Sequence, residues 1–493
     1  MDNDHRFTRR RAAKLASDAV AFSCDCPSGR VILFYQYLSA ARRATLAAAG
    51  PSHNNGWVYR MAEEQETLAR RWDLTGKIRV APEGLNITLG GTDAAITRYV
   101  GYMVQHPWLA PERAETGPQL YPLCDVNDPD DAESLPIPPL TPPFRTEAER
   151  RRHLFFKPSP GCAHVFDTLS VKVVPELCPL GRPDLAARDM NDRQHRLDPP
   201  AFHRALQEAR AATHAEPGSP ETVVLDARNY YESRIGHFAD AVCPPLRKFS
   251  ALPEYLRERR EELRGKRVLT YCTGGVRCEK LTSFITQDLF DKGEEGVAGV
   301  WMLDGGIHNY LDWARTLSET TPSEVTSLPP NSLFLGRNYV FDARQSLALP
   351  SAIPVASCQR CRAPVDRYLK CDGRGCHLLL LLCDRCRQLK SVEVSAEATD
   401  RVALASKVNL ESSGRQSPNV PRPVTAEVSF SDDPDGTGLA HYCCPECYAY
   451  HIAPPDRRPP KRSLCLCERR RHERARNSSL TPSSPDEAAA TWA

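Results

Sequence analysis

The sequence predicts an α/β protein in three parts: an N-terminal α+β domain, a central domain on a parallel sheet, and a cysteine-rich C-terminal extension. Three observations carry this prediction. Residues 29–180 run through strand and helix patterns in the order βαββαβ. Residues 198–320 alternate short apolar strands with helices, the pattern of βαβ units. Of the 19 cysteines, eleven lie after position 350, and these come in groups. A chain of 493 residues has room for about three domains at ~150 residues each.

In the first domain VILFYQYL (31–38) reads as a strand and AEEQETLARRW (62–72) as an amphipathic helix. KIRVAPEGLNITLGG (77–91) reads as strand, turn, strand, with Pro82 and Gly84 at the bend. DAAITRYVGYMVQH (93–106) has helical periodicity, and Thr92 or Asp93 can cap it. LSVKVVPEL (169–177) is the strand that would close a ferredoxin-like unit. The Pro- and acid-rich stretch 125–144 is an insertion expected to be an exposed loop.

In the second domain the strands are TVVLD (222–226), RVLTYC (267–272) and GVWML (299–303). The run FLGRNYVFD leads into the cysteine-rich part, placed at 331–390 and 441–467. Residues 391–440 are Ser/Pro/Asp/Gly-rich with few aromatics, and with 468–493 they are expected to be disordered. The 42 prolines, about 8.5% of the chain against a typical ~5%, agree with a sizeable linker content.

Composition excludes some functions. The net charge of +2 creates no whole-molecule field favouring nucleic acid or membrane, so any basic patch is local. No apolar stretch approaches the ~20 residues that span a bilayer. The basic start (Arg6, Arg9, Arg10, Arg11, Lys14) faintly resembles an organelle-targeting peptide, but Asp2 and Asp4 oppose that. A frayed tail on a cytoplasmic protein is the expectation, with no membrane partner. No flavin or nicotinamide motif is seen.

The sharpest chemical signal is RVLTYCTGGVRCEK (267–280). A strand ends at Tyr271, Cys272 opens a glycine loop, and a helix is expected from Arg277 or Cys278. Thr273, Gly274, Gly275 and Val276 supply backbone N–H groups that can curl into an anion cradle. The helix N-terminus and Arg277 add positive charge, which favours the reactive thiolate at Cys272. This places Cys272 as the catalytic thiol at the solvent-facing lip of the sheet, where α/β folds hold ligands. Upstream, Asp226, Arg228 and Glu232 are read as scaffold: Asp226 accepts loop hydrogen bonds, and Arg228 pairs with Glu232. His237 reads as a turn histidine and His308 as unassigned. Cys278 reads as a packed helix residue more readily than as a resolving thiol.

Together the D-x-R…E…G-H segment, the cysteine loop and the later D-G-G-I turn resemble a rhodanese domain. A basic residue five positions after the cysteine, here Arg277, marks the sulfurtransferase loop. The related phosphatases need arginine at the sixth position, which is Cys278. The wider pattern is more specific. CTGGVRCEK, GKIRVAPEGLNITLGG (76–91) and FLGRNYVFDAR (334–344) are similar, in order, to segments of the tRNA uridine hydroxylase family. The chain also resembles eukaryotic thiosulfate sulfurtransferase/rhodanese-like domain proteins. The resemblance implies an acylphosphatase-like N-terminal domain, tRNA as partner, and oxygen-dependent 5-hydroxylation of a wobble uridine with Cys272 essential. Two alternatives stand beside it. One is a sulfurtransferase moving sulfur from a small donor such as thiosulfate through a Cys272 persulfide. The other is a non-enzymatic, zinc-scaffolded binding protein.

An odd cysteine total without a secretory signal speaks against a disulfide framework, and grouped Cys-x-x-Cys pairs suggest structural zinc. Cys358, Cys361, Cys383 and Cys386 make one four-cysteine set. Cys371 and Cys376, with Cys443, Cys444 and Cys447, could build a second. The basic run 457–476 could contact phosphates.

Overall fold

The computed structural model describes residues 28–41, 43–44, 56–106, 140–187, 195–211, 220–320, 332–373, 376–388, 441–452 and 465–480. The expected insert at 391–440 and most of the 125–144 insertion lie outside them. The described residues up to Ala352, with Ser478–Leu480, form one compact unit, and Ile353–Asn477 form a second. Among the described residues no helix is long and apolar enough to cross a membrane.

The first lobe of the first unit is built on β1 (Gly29–Tyr37), α1 (Gly56–Arg71), β2 (Thr75–Ala81), β3 (Gly84–Thr92) and α2 (Asp93–Gln105). β3 is central, antiparallel to β1 from Gly29↔Thr92 to Tyr37↔Gly84 and to β2 from Thr75↔Gly90 to Ala81↔Gly84. Thr92 caps α2, its side chain accepting from Ala95 N at 3.2 Å. Period-two alternation sends Ile32, Phe34, Ile78, Val80, Leu85, Ile87 and Leu89 to one face, where they pack against Val58, Met61 and Leu68 of α1 and Ile96, Tyr99 and Met103 of α2. The opposite face of β1 carries Leu33, Tyr35 and Tyr37.

The closing strand differs from expectation. Helix α3 (Glu147–Phe156), opened by a Thr146/Glu149 capping box, leads into β4 (Ser159–Pro160), which pairs antiparallel with β1. This two-residue strand takes the ferredoxin-like closing position. β5 (Leu169–Val173) lies instead on the far edge, parallel to β2, giving the order β4-β1-β3-β2-β5. The apolar pattern of 169–177 identifies a strand, but alternation carries no information about which free edge it joins.

The second lobe contains β6 (Arg196–Leu197), α4 (Pro199–Ala211), β7 (Thr222–Asp226), α5 (Tyr230–Ser233), β8 (Gly236–Phe238), α6 (Leu252–Arg257), β9 (Arg267–Tyr271), α7 (Val276–Gln287), β10 (Gly299–Leu303) and α8 (Gly306–Thr320). The parallel sheet has the order β6-β10-β9-β7. Both faces are covered, which explains strands of near-continuous apolar residues. Val223, Leu225, Val268, Val300 and Met302 face α6 and α7, whereas Val224, Leu269, Tyr271 and Leu303 face α4 and α8. The run after 331 belongs here and not to the cysteine-rich part. β11 (Phe334–Gly336) pairs antiparallel with β8, and β12 (Asn338–Tyr339) with β13 (Ser346–Leu347).

The second unit holds a hairpin, β14 (Tyr368–Lys370) and β15 (Leu379–Leu381), then α9 (Asp384–Gln388), α10 (Pro445–Ile452) and α11 (Leu466–Asn477). Helix α11 corrects the expectation of disorder from 468. Glu446 accepts from Leu466 N at 2.8 Å at the helix start and pairs with Arg469 at 2.6 Å. Glu468 and Arg471, one turn apart, form a buried pair at 2.6 Å. The basic run is thus partly helix scaffolding.

Within the first unit the two lobes are clamped by buried charge. Lys280 of α7, fully buried, reaches Glu176 at 2.5 Å and Glu83 at 3.3 Å, both from the first lobe's side. Glu83 also accepts from Leu177 N at 2.6 Å. Arg344 pairs with Asp342 at 2.6 Å and donates to Pro160 O at 2.7 Å, while His153 Nε2 meets Asp312 of α8 at 2.9 Å. Replacing Lys280 with methionine strands two buried carboxylates and should destabilise the unit by about 3–5 kcal/mol. Urea unfolding of Lys280→Met measures this; a loss below about 1 kcal/mol would mean the clamp is not holding the lobes.

Candidate active site

Cys272 follows directly on β9, and Gly275, with φ of 101°, turns the chain into α7 at Val276, one residue earlier than expected. Gly275 N donates to Cys272 Sγ at 3.1 Å. The loop is braced by the first turn of α8: Ile307 N donates to Cys272 O at 3.0 Å and His308 N to Thr273 O at 3.1 Å. Gly306, at φ of 67°, has no room for a side chain, since a Cβ there would stand 2.5 Å from Cys272 O and 2.8 Å from Gly274 N. This is the physical meaning of the D-G-G-I turn.

Burial by itself would raise the Cys272 pKa. A hydrogen bond from Cys278, the Arg277 charge and the N–H groups of Arg277 and Cys278 outweigh it and bring the pKa down to about 5. Cys178 makes the contrast: equally buried, without such a cradle, its thiol is pushed up to about 12. The loop geometry, not burial, produces the thiolate. Cys278 supports its neighbour's anionic form and its own pKa is raised by burial and that contact.

The scaffold pairs differently from expectation. Asp226 and Arg228 pair with each other, Arg228 Nη2 reaching Asp226 Oδ2 at 2.7 Å and Gly236 O at 2.5 Å. Glu232 is gripped by Arg277 instead, at 2.6 and 2.7 Å, and accepts from Thr273 Oγ1 at 3.0 Å. The Asn229/Glu232 capping box points the Glu232 carboxylate at the loop, out of line with Arg228. The Arg277 guanidinium therefore acts on the sulfur through its field, its own hydrogen bonds being taken by Glu232 and by Thr273 Oγ1 at 3.1 Å. His237 Nδ1 meets Ser233 O at 2.9 Å.

Cys272 is not at an open lip. Its relative exposure is 0%, because the uncovered face of β1 closes over the loop. A Cβ on Gly274 would stand 2.8 Å from Leu33, and one on Gly275 2.6 Å from the Tyr35 hydroxyl. Tyr35 donates to Glu279 at 2.7 Å, and Arg196 holds the same carboxylate at 2.8 Å. Burial raises the Glu279 pKa to about 7 against the lowering effect of Arg196. Lys157 ends α3 in the left-handed region at φ of 47°, a conformation that favours glycine. Its ammonium stands 5.4 Å from the Tyr35 ring centroid, and burial lowers its pKa to about 8, opposed by the charges of Asp304 and Cys272. Burial and then Lys157 lower His308 to about 3, so it is neutral. Lys157, Tyr35, Arg196 and Glu279 were not legible as site residues. Only the E-K of C-T-G-G-V-R-C-E-K lay inside a segment already singled out.

In the second unit the thiols of Cys358, Cys361, Cys383 and Cys386 lie within 4.8 Å of one another and can hold a metal ion. The same holds for Cys371, Cys376, Cys443 and Cys447, and for an overlapping group of Cys443, Cys444, Cys447 and Cys465. Cys465 was not among the expected ligands, for its Cys-x-Cys neighbour Cys467 offers no zinc-type spacing.

Family profiles match residues 29–119 to the UPF0176 acylphosphatase like domain, 209–312 to the Rhodanese-like domain and 335–397 to the Rhodanase C-terminal family. Fold and loop thus define a rhodanese-type enzyme with an acylphosphatase-like N-terminal domain. The tRNA uridine(34) hydroxylase of Onion yellows phytoplasma (strain OY-M) is 31% identical over 313 residues, 62% of this chain and 77% of that protein. That of Acholeplasma laidlawii (strain PG-8A) is 29% identical over 357 residues, 71% of this chain and 83% of the other. The Rhodanese-like domain-containing protein 6 of Arabidopsis thaliana is 29% identical over 328 residues, 65% of this chain, and the match spans 47% of its length. The chain belongs to the tRNA uridine(34) hydroxylase family.

A pKa lowered to about 5 means that the thiolate is present above that pH and lost below it. Ultraviolet thiolate absorbance, taken as wild type minus Cys272→Ser between pH 4 and 9 so that no reagent has to reach the buried sulfur, should show a midpoint near 5, moved upward by Arg277→Gln. A wild-type midpoint at the ordinary thiol value of ~8.5 would exclude a preformed thiolate.

Proposed function

We propose that this chain hydroxylates uridine 34 of tRNA, with Cys272 as its reactive thiolate. The observation that carries this is the composite site: an anionic sulfur in the loop of one lobe, covered by a lysine and a tyrosine of the other. The uracil is a planar ring that must leave its stack to reach a buried sulfur. Leu33, Tyr35 and Lys157 must withdraw to admit it and then exclude water around it. Lys157, largely protonated at neutral pH, is placed to stabilise negative charge developing on the ring's oxygens. Glu279, with a pKa of about 7, is poised to take or give a proton.

The same proposal takes zinc as the ion of the C-terminal thiol groups. Four thiolates are the soft, tetrahedral set that zinc takes in structural sites, and they leave no open position for a substrate.

Expression in a bacterial strain lacking its own tRNA uridine(34) hydroxylase tests the activity by nucleoside mass spectrometry of the tRNA. Wild type should restore 5-hydroxyuridine-derived nucleosides and Cys272→Ser should not. Lys157→Met should slow turnover of purified enzyme by roughly 10²-fold. Full restoration by Cys272→Ser removes the thiolate from the chemistry. No restoration by wild type, with cyanide-dependent sulfur release from thiosulfate, replaces hydroxylation by sulfur transfer.

A further inference from the structure

We propose that the second thiol group is a two-metal cluster, in which Cys443 and Cys447 bridge two zinc ions. Cys371 and Cys376 complete one ion's coordination, and Cys444 and Cys465 complete the other's. The inference rests on zinc being the ion at these thiols.

Two four-thiol groups, each with sulfurs within 4.8 Å, share two members, Cys443 and Cys447. The shared pair stands at the centre. Cys443 Sγ lies 3.2 Å from Cys447 Sγ, 3.8 Å from Cys376, 3.8 Å from Cys444 and 3.7 Å from Cys465. One tetrahedral ion takes four thiolates and would leave two of these six sulfurs without a role in a site where five of the six are buried. Two ions need eight ligand positions, and six thiolates fill them only when two are shared.

The surroundings suit such a cluster. Two dications and six thiolates carry a net charge of −2, and backbone donors meet it: Cys443 N and Gly373 N both point at Cys371 Sγ, at 3.3 and 3.4 Å. The chain winds tightly there, since a Cβ on Gly373 would stand 3.0 Å from the Cys447 Cβ. Cys467 falls outside the cluster, its thiol donating to Cys443 O at 2.7 Å. The ligands come from three separate stretches of chain. The ions would therefore close the long 377–442 segment and fix the start of α11, which holds no apolar core of its own.

Native mass spectrometry of the full chain should count three zinc ions: one at Cys358, Cys361, Cys383 and Cys386, and two in the cluster. Cys465→Ser and Cys361→Ser should each lower the count to two. A second measurement needs no variant. In the fully cobalt-substituted protein, bridging thiolates couple the two spins, so the magnetic moment should fall below that of three independent high-spin ions. Two zinc ions per wild-type chain, or three ions with independent moments, would overturn the bridged cluster while leaving zinc in place. A folded chain that carries no zinc would overturn the choice of ion itself.

Discussion

The closure of the β1 face onto the cysteine loop is the constraint on which the first unit depends. An antiparallel sheet can leave one face to water, and here that face is spent on a partner lobe instead. Tyr35 and Tyr37 carry the contact: each buries a ring and delivers a hydroxyl, one to Glu279 and the other to Val276 O at 3.2 Å. Glycine at 275 is then required twice over, by its φ of 101° and by the approach of Tyr35, and glycine at 274 by the approach of Leu33. The buried Lys280 ties this contact together by reaching both Glu83 and Glu176.

That closure sets the electrostatics of the sulfur. Three cations, Lys157, Arg196 and Arg277, and three carboxylates, Glu232, Glu279 and Asp304, stand around this buried loop, where their interactions are stronger than in water. Each arginine is committed to a carboxylate, at 2.6 Å for Arg277 and 2.8 Å for Arg196. Lys157 donates to Phe155 O at 3.1 Å and lies over an aromatic face, which leaves its charge the more available to a substrate. Lys157 takes the left-handed conformation at the end of α3, where glycine would cost less.

Sulfur is used in two ways in the two units. In the first, the pKa of one thiol, Cys272, is lowered by backbone amides, the Cys278 thiol and a nearby guanidinium. In the second, thiols from distant stretches of chain are gathered into groups that could hold a metal ion. The helix Leu466–Asn477, with its run of arginines, is held at its start by Glu446 and within its first turns by the Glu468–Arg471 pair.

The sequence by itself determined the elements and the thiol. Alternating apolar residues set the strands, Thr92 set a helix start, and the Cys-Thr-Gly-Gly loop set a thiolate, because each of these depends on neighbours within a few positions. The spacing of the two Cys-x-x-Cys pairs also suggested Cys358, Cys361, Cys383 and Cys386 as one set, and their thiols do lie together. Tertiary structure decided what lies far apart in the chain. It put Ser159–Pro160 and not 169–173 beside β1, gave Glu232 to Arg277 and not to Arg228, and brought Lys157 and Tyr35 over Cys272 from the other lobe. Local pattern records which face of an element is apolar, but the identity of the surface that covers it is settled only by packing.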